Sequence, residues 1–230
     1  MEQVKEEERR RQKTTGRCTG CSFLCAVCRI VCYTCIRRSC QCCFSPAPRA
    51  RTEISILVLG LQGAGKTTLL SAVAGELTTH DEEPAPTMGF AFKTVNVQDH
   101  LTLNFQELGG SEQIRMYWDR YYACKHLVVY VVDSSCSEEV MRESGEALAR
   151  CLSSPSLTGL PLLLVCSKQE VPSAISPAKI RERLGLGEVE RERKVAVIST
   201  SNRGHQTARE SVTKTILQLL DAQTELLQNI

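Results

Sequence analysis

The sequence predicts an α/β domain with a mostly parallel sheet of about six strands, one of them antiparallel, and helices on both faces, preceded by a cysteine-rich N-terminal arm. Three observations point there. Six short apolar runs are spread between residues 54 and 199, and segments of helical periodicity separate the later ones. A glycine-rich octapeptide joins the first run to the first helical segment. The first 51 residues differ in charge and cysteine content from everything after them.

The domain boundary falls in the Ser45-Pro46-Ala47-Pro48-Arg49 hinge, leaving an arm of residues 1–51 and a body of residues 52–230. Ile54 to Leu59 is a β-branched strand that stops at Gly60, and Thr67 to Ala74 is the helix after it. Ala91 to Val97 and Leu101 to Phe105 flank Asp99-His100, which reads as a hairpin turn and supplies the antiparallel strand. Leu127 to Val132, Leu160 to Cys166 and Val195 to Ser199 are the remaining strands. Helices are expected over Ser137 to Leu152, Ser176 to Leu184 and Ala208 to Leu227, the last burying Val212, Ile216, Leu219 and Leu220 at about 3.6-residue spacing. Apolar residues make up 42% of the 230 and charged residues 23%, which excludes a wholly disordered, collagenous or polytopic membrane chain. No internal repeat and no secretory signal is recognisable, so the body is expected in the cytosol with its thiols reduced.

Gly60-Leu61-Gln62-Gly63-Ala64-Gly65-Lys66-Thr67 fits G-x-x-x-x-G-K-[ST] and lies between a buried strand and a helix, where such a loop must lie. Its glycines let successive N–H groups converge on phosphate oxygens at a helix N-terminus. Lys66 is placed to meet the β and γ phosphates, the Thr67 hydroxyl to ligate Mg²⁺, and Thr68 to complete the turn around the nucleotide.

Pro86-Thr87-Met88-Gly89-Phe90 precedes the first hairpin strand, and Glu107-Leu108-Gly109-Gly110 closes the second, followed by Ile114-Arg115-Met116-Tyr117-Trp118 and Arg120-Tyr121-Tyr122. This order of motifs resembles the ADP-ribosylation factor-like small GTPases over residues 53 to about 225. The resemblance implies the small-GTPase fold, GTP or GDP as ligand with Mg²⁺, and a switch in which Thr87 completes the metal shell and touches the γ-phosphate. It implies that the Gly110 amide bonds the same phosphate and that Glu107 holds a Mg²⁺-bound water. Residues 91–107 would be the hairpin that slides in register and moves an N-terminal segment toward a membrane. Effector proteins would dock through residues 80–90 and 107–122, and the branch carrying ELGG implies association with magnesium-transporter regulatory domains. The exchange factor and GTPase-activating protein are not readable, and no nucleic acid is called for. Phe90 and Tyr121 align with an effector-facing aromatic triad whose third member, usually Trp, is Gln106. Trp118, Tyr121 and Tyr122 also fit plain packing of a helix, since aromatics at i, i+3 and i+4 share a face.

The chain departs from the family in two places. Ser111 stands where relatives carry the Gln that orients the attacking water; its side chain is shorter and lacks the paired amide donor and acceptor, so very slow hydrolysis is expected. Ser167-Lys168-Gln169-Glu170 stands where the family has Asn-Lys-x-Asp. Glu170 keeps a carboxylate for the guanine edge and Lys168 a stem to stack on the base, while loss of Asn at 167 removes a loop-tying bond. Guanine preference with weakened affinity is expected. Ser199-Thr200-Ser201 resembles the second base-contacting loop. Besides a switch, the departures leave open a non-hydrolysing scaffold that binds a membrane protein; a small-molecule kinase is disfavoured by the lack of a recognisable lid. Asp81-Glu82-Glu83 reads as a solvated run, and Cys166 as an inert core thiol.

Nine of the thirteen cysteines fall between Cys18 and Cys43. The arm carries eleven Lys/Arg against four Glu, and the body seventeen against twenty-two Asp/Glu. Cys18, Cys21, Cys25, Cys28, Cys32 and Cys35 alternate spacings of three and four, which would put six thiols on one helical face; Cys40, Cys42 and Cys43 follow. With Arg17, Arg29, Arg37 and Arg38 nearby, the pattern best fits an S-palmitoylated helix in a lipid interface on the cytoplasmic face of Golgi, endosomal or plasma membrane. With Glu at position 2, N-myristoylation is not expected. A zinc or cluster site, a span over residues 18–36 and a redox-sensitive tail remain alternatives.

Overall fold

The computed structural model describes residues 52–76, 87–98, 101–201 and 205–228. The cysteine arm, residues 77–86 with the acidic run, and the Asp99-His100 turn lie outside the described residues.

Chain order runs β1 (Thr52–Leu59), α1 (Lys66–Ala74), β2 (Phe90–Gln98), β3 (Leu101–Leu108), a four-residue helix α2 (Glu112–Arg115), a 3₁₀ turn (Trp118–Tyr121), β4 (Leu127–Asp133), α3 (Glu138–Leu152), β5 (Leu162–Ser167), α4 (Pro177–Arg183), α5 (Leu186–Glu192), β6 (Val195–Ser199) and α6 (His205–Gln228). The six strands lie in the order β2-β3-β1-β4-β5-β6. Only the β2–β3 pair is antiparallel. The expected sheet is therefore present, with its antiparallel strand at one edge.

β4, β5 and the second half of β1, Ile56–Leu59, are buried on both faces, as continuous apolar runs require of central parallel strands. Alternate side chains feed two cores. Leu57, Leu59, Val128, Tyr130, Leu162 and Leu164 pack with Met141, Leu148, Leu152 and Ile180 on one side. Ile56, Val58, Val129, Val131 and Val165 pack with Leu70, Val73, Val212, Ile216 and Leu219 on the other. Leu220 is only partly buried beside that second core.

The strands and helices differ from expectation mainly at their ends. β3 continues to Leu108, because its last residues still pair with β1 and β2. β5 begins after Pro161, which has no N–H to donate. Ser137 and Ser176 prove to be N-caps; the Ser137 hydroxyl accepts from the Val140 amide at 3.4 Å. α5 was not anticipated, since the glycine-punctuated Leu186–Glu192 segment buries only Leu186. The aromatic run forms a 3₁₀ turn rather than a plain helix, with Trp118 and Tyr122 in the core and Tyr121 partly exposed.

This frame brings the C-terminal ends of β1, β3, β4, β5 and β6 to one rim of the sheet, the place where open α/β sheets bind ligands. β1 ends in a backbone that can turn so sharply only because residue 60 is glycine. Its φ is +147°, and an added Cβ would stand 2.3 Å from the Val131 carbonyl oxygen.

Candidate functional site

The glycine-rich loop runs from Gly60 to Gly65, and Gly65, in the left-handed region at φ 86°, opens α1. Gln62 and Gly63 are exposed, Thr67 and Thr68 are half-buried, and Ala64 is buried against the second core. Lys66 is buried at 5% exposure and donates from Nζ to the Gly60 and Leu61 carbonyls, both at 2.9 Å. Burial pushes this ammonium down to about 8; Glu107 opposes the shift and Arg115 adds to it. A phosphate entering the loop would supply the anionic partner that the two carbonyls replace only in part.

Three segments meet beside this loop. Thr67 Oγ1 donates to Glu107 Oε1 at 2.6 Å, Thr87 Oγ1 donates to the same oxygen at 3.0 Å, and the two hydroxyls lie 3.1 Å apart. Glu107 is 1% exposed. Two hydroxyls and one carboxylate are hard oxygen donors of the kind Mg²⁺ takes. No cluster of three or more His, Cys, Asp or Glu occurs among the described residues, so a cation here would draw further ligands from phosphate or water. The donor set fits Mg²⁺ bound with a nucleotide.

Gly109 and Gly110 link the β3 end to both neighbours. Gly109 donates its N–H to the Gly89 carbonyl at 2.8 Å and accepts from Trp118 Nε1 at 2.9 Å. The Gly110 carbonyl accepts the Gln62 amide at 3.1 Å. A Cβ at residue 110 would lie 2.3 Å from the Leu61 carbonyl carbon and 2.4 Å from the Gln62 nitrogen, so only glycine permits this approach. Ser111 follows as the N-cap of α2; its carbonyl takes the Ile114 and Arg115 amides at 3.0 and 2.9 Å, and its hydroxyl makes no capping bond. Arg115 reaches Glu143 on α3.

At the other end of the rim, Ser167 corrects the expectation that the loop-tying bond is lost. Its buried hydroxyl lies 2.7 Å from the Ala64 carbonyl and 3.0 Å from the Val132 carbonyl. A hydroxyl has one proton, and the nearer carbonyl takes it. Serine thus ties β5 to the phosphate loop with a shorter arm than an amide would need. Lys168 adopts a positive φ of 57° and donates to Asp133 Oδ2 at 2.7 Å. Burial raises the Asp133 carboxyl, but hydrogen bonds from Lys168 and Ser135 outweigh it and hold the group below the usual carboxylate range. Glu170 is partly buried in the turn after Lys168. Thr200 is buried, and its loop joins this one through Thr200 N–H to Cys166 O at 2.9 Å and Gln169 N–H to Thr200 O at 3.2 Å; Ser199 is exposed at the end of β6. Cys166 is fully buried, and burial pushes its thiol up to about 12, which makes it inert.

Phe90 and Tyr121 meet with ring centroids 5.4 Å apart, as their alignment predicts. Gln106 does not complete a surface triad: it is 6% exposed and accepts from Lys125 Nζ at 2.6 Å. Phe92, its cross-strand partner, instead extends the aromatic surface, 5.5 Å from Phe90. Asp133, Lys125 and Phe92 were missed by sequence reasoning. The Val-Val-Asp ending of a buried strand could have signalled Asp133, whereas Lys125 and Phe92 required the register.

A glycine-rich loop, a hydroxyl-carboxylate cluster and two linked loops along one sheet rim define a small GTPase. The model of the ADP-ribosylation factor family matches residues 42–219, and the chain belongs to that family. It is 38% identical over 154 residues to ADP-ribosylation factor-like protein 15 of Mus musculus and of Homo sapiens, a stretch covering 67% of this chain and 72% of each relative. Among solved structures, the Arl6 BBS3 small GTPase from Trypanosoma brucei, determined with a bound nucleotide analogue, superposes with a TM-score of 0.60 at 20% identity, covering 73% of this chain and 99% of that one. That likeness is one of fold.

Ser167→Ala leaves a buried carbonyl without its hydroxyl and should cost about 1–3 kcal/mol in urea unfolding. An unfolding free energy within about 0.3 kcal/mol of wild type would show that the tie between β5 and the loop carries no weight.

Proposed function

We propose that the chain is a guanine-nucleotide switch: it binds GTP with Mg²⁺, orders its two switch segments around the third phosphate, and recruits effector proteins in that state. The observation that carries the reading is the convergence of Thr67, Thr87 and Glu107, from the phosphate helix and the two flanking segments, on one carboxylate oxygen. Bound Mg²⁺ would neutralise phosphate charge, with Thr67 and Thr87 as ligands and Glu107 holding a metal-bound water. Lys66 holds the β and γ phosphates, and the Gly110 amide reports the third phosphate to the β3 end. Loss of that phosphate removes a partner from Thr87 and Gly110 together, which converts hydrolysis into a change of shape. The family membership and the nucleotide analogue bound to the Arl6 relative support this reading.

Hydrolysis is slow. Ser111 offers one hydroxyl where a carboxamide would hold a water from two sides, and its backbone is already committed to capping α2. A non-hydrolysing scaffold that uses the same face is the second reading, and Ser111 favours it. Glu170, Lys168 and the Ser199–Thr200 loop receive the base. Guanine binding is expected to exceed adenine binding at least about tenfold in parallel GTP and ATP titrations with Mg²⁺. Ser111→Gln should raise single-turnover hydrolysis at least about tenfold. Equal GTP and ATP affinities would overturn the guanine assignment, and an unchanged rate in S111Q would overturn the account of slow turnover.

Lys66 gives the binding a pH dependence. Burial pushes its ammonium down to about 8, and phosphate contact would hold the proton to higher pH, so binding is expected to take up a proton above that value. GTP affinity should be level from pH 7 to 7.5 and fall above pH 8 by up to about tenfold per unit. Calorimetry in buffers of different ionisation heat at pH 8.5 should show net proton uptake; no uptake would contradict the assignment.

The arm is proposed to hold the body on a membrane through palmitoylated cysteines, supported by its basic charge and nine clustered thiols. Hydroxylamine should release the protein from membranes, whereas release by chelator alone would argue for a metal site.

A further inference from the structure

The aromatic surface beside the switch segments carries a lysine that forms no ion pair among the described residues. β2 is an edge strand, and its residues 90, 92, 94 and 96 are all exposed on one face. Phe90 and Phe92 are 48% and 64% exposed, and Met88 and Met116 still more so. Along this face Phe92 pairs with Gln106 on β3, which in turn pairs with Leu57 on β1. Lys125, in the segment entering β4, reaches over this row to the Gln106 carboxamide. The register sets Phe92 beside Gln106, and the hydrogen bond from Lys125 sets its ammonium beside the Gln106 carboxamide.

Lys125 forms no ion pair among the described residues, and its only hydrogen-bond partner there is the neutral Gln106 Oε1 at 2.6 Å. Burial lowers its ammonium from the ordinary value, and the neighbouring Cys124 opposes the shift. The acid on the same face, Glu53, lies further along β1, within bonding distance of Asn104 at 3.2 Å. A second cation, Arg120, stacks over Tyr117 at 4.8 Å from the ring centroid. An exposed aromatic cluster with a partly buried lysine at its margin is complementary to an apolar side chain flanked by a carboxylate.

Resting on the reading that this face docks a partner, we propose that it selects an acidic protein segment, which seats an apolar side chain on Phe90, Phe92 and Tyr121 and a carboxylate on Lys125. One strand spacing separates Phe92 from Gln106, so anchor and acid lie about 5–10 Å apart, within one helical turn or two strand residues of each other. Lys125 and Gln106 are specificity-determining: Gln106 holds the ammonium over the row, and the partner's acid completes it.

The probe is a random dodecapeptide display library panned on the full-length protein loaded with a non-hydrolysable GTP analogue, and in parallel on nucleotide-free protein. Selected peptides should carry Asp or Glu within four residues of an aromatic or large aliphatic anchor. Lys125→Glu should weaken them at least about tenfold and select Lys or Arg in its own panning, whereas Lys125→Arg should stay within about threefold. Phe92→Ala should weaken the same peptides, and GTP-analogue binding by each variant checks that it is folded. Acid-anchored binders that ignore nucleotide would leave this proposal standing and sink the switch reading. Binders without acidic preference, binders indifferent to K125E, or no binders at all would overturn it.

Discussion

Everything at the sheet rim depends on one buried carboxylate. Glu107 sits at 1% exposure, and a charge so far from water is tolerable only when hydrogen-bonded and electrostatically matched. The Thr67 and Thr87 hydroxyls supply the bonds, and Lys66 the nearest favourable charge. Because the two threonines belong to segments far apart in sequence, satisfying one oxygen fixes the relative positions of the phosphate helix, the residues before β2 and the end of β3. Gly110 seals the arrangement from the opposite direction by bringing backbone against backbone.

Much of this was legible in the chain. Hydrophobic periodicity located all six strands and helices α3, α4 and α6, and the octapeptide fixed the phosphate loop, because each depends on local patterning or on a backbone requirement that only certain residues meet. The cluster of Thr67, Thr87 and Glu107 was readable only through family resemblance, since no spacing rule links residues 20 and 40 positions apart. α5 was not legible because Gly185 and Gly187 read as a turn, whereas α4, of the same length and likewise with one buried residue, carries the start signal of Ser176-Pro177.

Ser167 and Gln106 show what the chain left unread. Ser167 lacks the length of asparagine, yet β5 runs close enough to Ala64 for a hydroxyl to span the gap. Gln106 lacks the aromatic ring of its counterparts, and Phe92 on the neighbouring strand occupies surface instead. What each side chain does depends on the neighbour that the fold brings to it, the glycine-rich loop for Ser167 and Lys125 with the β2 edge for Gln106.

The pairing of β3 with β1 has a consequence of parity. Side chains alternate faces with a period of two, so any travel of β3 that keeps its faces intact must advance by two residues, close to 7 Å. One such step puts Phe105 or Gly109 where Glu107 stood, and neither side chain offers an oxygen. Were the hairpin to slide, the geometry at this rim would be digital: the constellation would be complete or absent, with no graded intermediate in between.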